Sequence, residues 1–322
     1  MHKFLLIDGN NFMYAAQYGS RRLTAGDTEV TAVYGFLGSL RNVCLRFPGA
    51  IPIVLWDSTP NWRVDVYPEY KGNRKENKQL ALIAAALRPQ RPIVKELLRD
   101  MGVRQYAVDK YEADDLAADL TRKLNEKGSQ VVLVTRDGDW QQLVNEKTVW
   151  YDHKMDFVLN LSNFQEITGF KTPQHFVQGK IISGDGGDNV KGLGGLGDGA
   201  AVTIMGEFDS FNEMRANWPA FEAAIAKGSK WSRYYRAPIS KALADPDLDA
   251  KYQMNELLMD LVNHQYPEIQ YQTDARYNED AVKKTFGRLG FHSLLRKYEP
   301  WIEANLKIRK TKWTCKTFSM TW

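Results

Sequence analysis

Cysteine is nearly absent from this 322-residue chain: Cys44 and Cys315 are the only two, and they lie far apart. Neither has a partner at metal-ligand spacing, which argues against a disulfide-stapled secreted fold and points to two reduced thiols in a cytoplasmic setting. Histidine is sparse too, with His2, His153, His175, His264 and His292 scattered, so a zinc site is not expected. Long apolar runs are missing. Phe4-Leu5-Leu6-Ile7, the longest near the N-terminus, is far too short for a signal peptide or a membrane span. There is no sequence repeat and no low-complexity linker. Neither charge sign dominates, since 43 Lys and Arg against 39 Asp and Glu leave +4. The distribution says more than the total. Basic residues crowd positions 63–104 and 307–316, whereas aspartates gather in short motifs. A basic surface beside an acidic pocket suits a polyanion held by cations and cleaved through bound metal.

What is present can build a substantial core, as one large domain or two closely packed ones. Residues 3–7 read as a short buried strand, with Asp8-Gly9-Asn10-Asn11 as a turn after it. A helix is expected over 28–47, where Val33, Phe36, Leu37, Leu40 and Cys44 fall at helical spacing. Strands follow at 51–56, 103–108 and 130–135, with a helix at 112–127 between the last two. Short strands separated by helices imply parallel pairing, hence an α/β fold with a mainly parallel central sheet flanked by helices. Beyond about residue 160 the strand signal fades. Helices are expected there at 173–183, 199–207, 220–227, 251–263 and 280–289. The expected organisation is an α/β domain over 1–160 and a mostly helical part over 161–322. Residues 67–99, punctuated by Arg88-Pro89-Gln90-Arg91-Pro92, break the rhythm as an excursion between strands.

In open parallel sheets, ligands sit outside the carboxyl ends of the strands. Acids stand at those ends: Asp8, Asp57, and the pair Asp137 and Asp139, joined by Glu112, Asp114 and Asp115 at the head of a helix. Each alone has a plain explanation as a turn former or as a complement to a helix dipole. Seven at one edge do not, because crowded like charges repel unless cations neutralise them. Oxygen ligands without histidine or cysteine indicate Mg²⁺, with Mn²⁺ able to substitute.

A second cluster is Ser183-Gly184-Asp185-Gly186-Gly187-Asp188-Asn189. Eight of the sixteen residues from 184 to 199 are glycine, so a turn between helices is expected. Gly192, Gly194 and Gly197 also fit the G-x-G-x-x-G string. The preceding segment reads as helix rather than strand, which disfavours a dinucleotide site and favours a backbone-amide cradle for phosphate.

Five motifs together resemble the 5′-nuclease family of flap endonucleases and 5′→3′ exonucleases, most nearly its stand-alone bacteriophage type. They are Leu6-Ile7-Asp8-Gly9-Asn10-Asn11, Pro68-Glu69-Tyr70-Lys71-Gly72-Asn73-Arg74, Glu112-Ala113-Asp114-Asp115, Thr135-Arg136-Asp137-Gly138-Asp139-Trp140 and Gly184-Asp185-Gly186-Gly187-Asp188-Asn189. They occur in family order and span residues 5 to about 200; nothing beyond about 210 matches. The resemblance implies a helical arch at about 67–99. It also implies a helix–turn–helix module at about 173–207 that grips duplex backbone, often with K⁺. Its metal-site acids fall on Asp8, Asp57, Glu112, Asp114, Asp115, Asp137, Asp139, Asp185 and Asp188, around two Mg²⁺ ions. Its catalytic lysine and partner arginine fall on Lys71 and Arg74. The chain departs from the pattern at Ala15 and Gly199, where relatives carry basic residues, which touches DNA grip more than chemistry.

The implied activity is hydrolysis of DNA at 5′ flaps, 5′ ends or branches, in flap or primer removal during replication, by a monomer that also meets RNA–DNA hybrids. Lys71, Arg74, Lys75 and Lys78 recur at i, i+3, i+4 and i+7, which predicts a basic helical stripe for phosphates. Tyr67 and Tyr70 beside it are expected to stack on bases. Three rivals remain. An aspartyl phosphatase built on Asp8 would want an acid where Asn10 stands. A small RNA-cleaving α/β nuclease would lack the 67–99 insertion. A branched-DNA-binding protein without catalysis would not need every acid.

Overall fold

The computed structural model describes residues 2–18 and 21–296, so the basic segment 307–316 and Cys315 lie outside the described residues. The first strand, β1 (Lys3–Asp8), is buried on both faces at Leu5, Leu6 and Ile7, as a central parallel strand must be. A helix follows at once where a turn was expected. In α1 (Gly9–Tyr18) the Asp8 carboxylate accepts the Asn11 amide at 2.9 Å, in the manner of an N-cap. A two-strand hairpin, β2 (Thr24–Ala25) and β3 (Thr28–Glu29), occupies the expected start of the next helix, so α2 (Thr31–Arg46) begins later.

After β4 (Ile51–Leu55) the excursion comprises α3 (Trp62–Val66), a 3₁₀ turn over Gly72–Glu76, α4 (Lys78–Leu87) and α5 (Gln90–Asp100). The expected continuous basic stripe does not form. Lys71 is left-handed at φ 56°, and extended Asn77 caps α4 by accepting the Gln79 and Leu80 amides. These two breaks put Lys71, Arg74 and Lys78 in three separate local structures.

The chain returns through β5 (Arg104–Tyr106), α6 (Ala113–Glu126) and β6 (Gln130–Val134), then a 3₁₀ turn over Gly138–Leu143. Two further strands that periodicity did not indicate, β7 (Thr148–Asp152) and β8 (Phe157–Leu159), extend the sheet to the order β5-β4-β1-β6-β7-β8. All neighbours are parallel except β7 and β8.

The rest is helical: α7 (Phe164–Thr168), α8 (Pro173–Ser183), a hairpin of β9 (Gly184–Asp185) and β10 (Val190–Lys191), α9 (Asp198–Glu207), α10 (Phe211–Ala224), α11 (Arg236–Leu243), α12 (Leu248–Met259) and α13 (Glu279–Arg288). The helix expected from residue 220 starts earlier, at Phe211, and runs through Pro219.

Alternation along the strands divides the core in two. Leu6, Ile53, Leu55 and Leu133 face α6 and the C-terminal helices. Leu5, Ile7, Val54 and Val132 face α1, α2, α5 and α13. The first of these cores runs without a break past residue 160, from Leu6 through Val177 and Met214 to Tyr271. Among the described residues no helix is long and apolar enough to cross a membrane.

Candidate active site

The sheet reverses its winding at β1, which lies between β4 and β6. The crevice at such a reversal is where open α/β sheets bind ligands. Asp8 ends β1, Asp57 stands just past β4, and Asp137 and Asp139 follow β6. Asp57 accepts the Ala113 amide at 2.9 Å, which ties the β4 end to the head of α6. That helix head brings Glu112, Asp114 and Asp115. Asp8 is 6% exposed and accepts from Thr135 Oγ1 at 3.0 Å. Burial, and then the charge of Asp57, push its carboxyl up to about 7. Burial and Asp139 push Asp137 up to about 6. Asp114 is raised well above the usual carboxylate range by burial and by Asp137, although Trp140 Nε1 donates to it at 2.7 Å. These mutual shifts show that the acids feel one another across the three strand ends.

The glycine-rich turn closes the site from the other side. Asp185 Oδ1 accepts the Gly187 and Asp188 amides, and its Oδ2 takes Lys180 Nζ at 2.6 Å. Lys180 also reaches Asp139 at 2.8 Å, so one ammonium joins the sheet acids to the turn acids. Burial works to raise Asp185, but Lys180 and the Asp188 and Gly187 amides together hold that carboxyl below the usual range.

Lys71 makes the second bridge. Its ammonium lies 2.6 Å from Glu112 Oε1 and 3.7 Å from Asp188 Oδ2. Burial disfavours this charge, yet Glu112, Asp188 and Asp114 hold Lys71 protonated well above the usual lysine range. Arg74 pairs with Asp188 at 2.7 Å. Backbone and amide contacts fasten the 67–74 segment to the turn: Lys71 N to Asp188 O, Asn73 Nδ2 to Gly186 O and Asn189 Nδ2 to Glu69 O.

Two expected roles change. Tyr70 is 6% exposed and packs on Val190, Leu258 and Met259, so it presents no face to a base. Its hydroxyl lies 2.9 Å from Glu112 and 2.7 Å from Asp188, making it a spacer between two acids. Asp115 is fully buried, and both its oxygens are taken by Arg63, at 2.8 and 2.9 Å. It also accepts the Glu112 amide and the Tyr266 hydroxyl. Asp115 therefore orients the helix head from behind the crevice.

The glycines divide in a similar way. A side chain at Gly192 would strike the Ser183 carbonyl, and one at Gly194, where φ is 57°, would strike Ala242. Both glycines answer to the protein's own packing. Gly197 faces open space at the start of α9. Lys78 is exposed at the start of α4, and the Lys75 side chain lies outside the described residues.

Sequence reasoning passed over Arg63 and Lys180. Lys180 had a signal, as a lone lysine in the apolar last turn of α8. Arg63 had none, because its partners are 49 and 52 positions away.

The donor set, all carboxylate, fits hard divalent cations. As they stand, no three acids among the described residues converge tightly enough to hold an ion. The ammonium groups of Lys71 and Lys180 take up the space and charge between them.

A crevice of acids and lysines at the carboxyl edge of a mainly parallel sheet has the charge and position suited to a polar, charged ligand. The particular family follows from comparison: residues 3–169 match 5′-3′ exonuclease, N-terminal resolvase-like domain, and the chain belongs to this 5′-nuclease family of 5′-3′ exonucleases and flap endonucleases. It is 27% identical over 251 residues to the 5′-3′ exonuclease of Aquifex aeolicus, covering 77% of this chain and 84% of that one. To the DNA polymerase I of Streptococcus pneumoniae R6 it is 28% identical over 262 residues, 77% of this chain but only 29% of that protein's length. Among solved structures, bacteriophage T5 5′-exonuclease with bound divalent metal ions (zinc) has the same fold, with TM-score 0.65 at 19% identity over 94% of this chain and 99% of that one. The catalytic core of Rad2 in complex with DNA substrate superposes with TM-score 0.60 at 15% identity, over 94% and 92%.

Proposed function

We propose that the chain is a structure-specific 5′ nuclease that hydrolyses DNA phosphodiester bonds at 5′ flaps, 5′ ends or both, in flap or primer removal. The observation that supports this most is the ring of acids bridged by Lys71 and Lys180 at the β1 crevice. Asp8, Asp57, Glu112, Asp114, Asp137, Asp139, Asp185 and Asp188 are the groups proposed to hold two Mg²⁺ ions, which Mn²⁺ can replace. Bound there, such ions supply an activated water and neutralise the leaving oxygen. Asp115 acts through Arg63 and the Glu112 backbone.

Lys71 is proposed to leave Glu112 for the scissile phosphate and to offset its growing negative charge. Arg74 does the same beside Asp188. Lys78 attracts the strand's phosphates through its charge. The glycine turn and the start of α9, with Gly197 open, are proposed to meet duplex backbone, with K⁺ as a second cation. A monomer in the cytoplasm completes this reading.

The test is cleavage of a labelled 5′-flap DNA and of a nicked duplex, each in Mg²⁺ and in EDTA. Cleavage of either in Mg²⁺ alone is expected. Tight, structure-dependent binding with no Mg²⁺-dependent product from either would replace the nuclease by a binding protein.

A further inference from the structure

Lys180 stands between the two halves of the acid crevice. Its ammonium lies 2.8 Å from Asp139 Oδ1, on the sheet side, and 2.6 Å from Asp185 Oδ2, on the turn side. Both acids are fixed by hydrogen bonds of their own. The Asp139 amide donates to Asp137 Oδ1, and its carbonyl accepts from Gln142. Asp185 Oδ1 accepts the Gly187 and Asp188 amides, which leaves Oδ2 turned to Lys180. The two carboxylates thus offer one oxygen each to a single position, and a cation of the chain itself fills it.

The helix that carries Lys180 is locked in place. Val177, Ile181 and Ile182 of α8 are buried, a side chain at Gly179 would strike the Phe170 ring, and Asn255 of α12 donates to the Ile181 carbonyl at 2.9 Å. Only the flexible four-carbon stem can turn, and with its side chain 22% exposed it has a way out. Burial disfavours the charge, yet Asp139 and Asp185 hold Lys180 protonated well above the usual lysine range. The ammonium keeps its two carboxylate oxygens at 2.6 and 2.8 Å, whereas Mg²⁺ draws oxygens in to about 2.0–2.1 Å. Two cations cannot share that position, because like charges so close repel strongly. With the ammonium in place, no three acids among the described residues come close enough to hold an ion.

We propose that Lys180 is a built-in competitor for the divalent cation. It occupies the position between Asp139 and Asp185 in the metal-free protein, swings out when an ion enters, and so sets how weakly that ion is held. This role rests on the proposed metal site and goes beyond it, since a carboxylate site does not by itself require its occupant to displace a side chain. The metal-free crevice stays neutralised, and ions load only at concentrations that eject the ammonium.

The test titrates the full chain, without DNA, with Mn²⁺ followed by electron paramagnetic resonance. K180M keeps an apolar stem and removes the charge. It should bind Mn²⁺ about tenfold more tightly, the scale of one charge-assisted hydrogen bond that no longer has to break. K180R, which keeps the charge, should stay near wild type, and K180M/D185N should lose the gain. In wild-type protein, saturating Mg²⁺ should expose the Lys180 amine and speed its acetylation by an N-hydroxysuccinimide ester, read by peptide mass spectrometry. That arm needs no variant to fold. Mn²⁺ affinity in folded K180M equal to or below that of wild type would overturn the proposal and make Lys180 a positioning residue for the two acids. So would a Lys180 acetylation rate that saturating Mg²⁺ leaves unmoved. Absence of Mn²⁺ binding by both folded wild type and K180M would overturn the metal reading itself, and this role with it.

Discussion

The Lys71 ammonium lies 2.6 Å from Glu112 Oε1, a partly buried ion pair that helps to join the excursion to the head of α6. Lys71→Ala should lower single-turnover cleavage about 10²–10³-fold, the range for loss of a preorganised electrostatic donor. DNA affinity should fall far less, since one phosphate contact among several contributes modestly. Lys78→Ala should show the opposite balance, with weaker binding and nearly normal chemistry at saturating DNA. Wild-type single-turnover rates in Lys71→Ala would reduce Lys71 to a structural partner of Glu112.

Asp139 and Asp185 share Lys180, and each should matter more to chemistry than to folding. Asp139→Asn and Asp185→Asn are expected to abolish or sharply lower cleavage while DNA binding persists. A melting temperature that drops strongly in saturating Mg²⁺, with normal turnover, would make these acids structural.

Stability should depend on metal and pH together. Asp8 and Asp137 have folded-state values of about 7 and about 6, above the ordinary 3.8. The folded protein therefore holds extra protons. That contribution is complete below pH 3.8 and is lost as pH rises through 6 and 7. Mg²⁺ held by the ionised acids, as proposed, would add stability by mass action. The melting temperature in Mg²⁺ should exceed that in EDTA clearly at pH 8 and little at pH 5, at equal ionic strength. A gap that is absent at pH 8, or as large at pH 5, would contradict a shared metal site.

Arg63 and Asp115 are both buried and are joined by two hydrogen bonds. Arg63→Met should cost about 3–5 kcal/mol in urea unfolding, because it strands Asp115 without a countercharge. Arg63→Met with Asp115→Leu should recover most of that loss while leaving cleavage impaired, since the Glu112 amide loses its acceptor. If the double variant is no more stable than the single, the pair is not the source of the cost.

His153 packs against Phe12 in a tilted arrangement with ring centroids 4.1 Å apart, and neither ring nitrogen finds a hydrogen-bond partner. Burial, then Lys154, lower it from 6.5 to about 4. Here the unfolded chain binds the extra proton, so stability falls as pH drops from 6.5 toward 4. The stability advantage of His153→Phe over wild type should grow by about 2 kcal/mol between pH 7 and pH 5. A constant difference across that range would show that the imidazole charges freely in the folded state.

Much of the site is legible in the amino-acid sequence, for a local reason. Asp8, Asp57 and Asp137 can be placed at one edge because each follows an apolar strand, and parallel strands all end on the same side. The glycine-rich turn is equally legible, since that composition cannot continue a helix. Chemistry written in contiguous residues is readable as such.

What the tertiary structure decided depends on partners distant in sequence. Arg63 reaches Asp115 across 52 positions, and Lys71 contacts Glu112 across 41. Tyr70 looked like an exposed ring beside basic residues, but Leu258 and Met259 of α12 cover it. The basic periodicity from 71 to 78 was present in the letters, yet left-handed Lys71 and the Asn77 cap broke the helix it implied. Sequence alone set which residues could be acidic, apolar or flexible. Only packing determined which acids keep an open oxygen and which are bound by the protein's own cations, because that turns on long-range contacts and burial that no local pattern encodes.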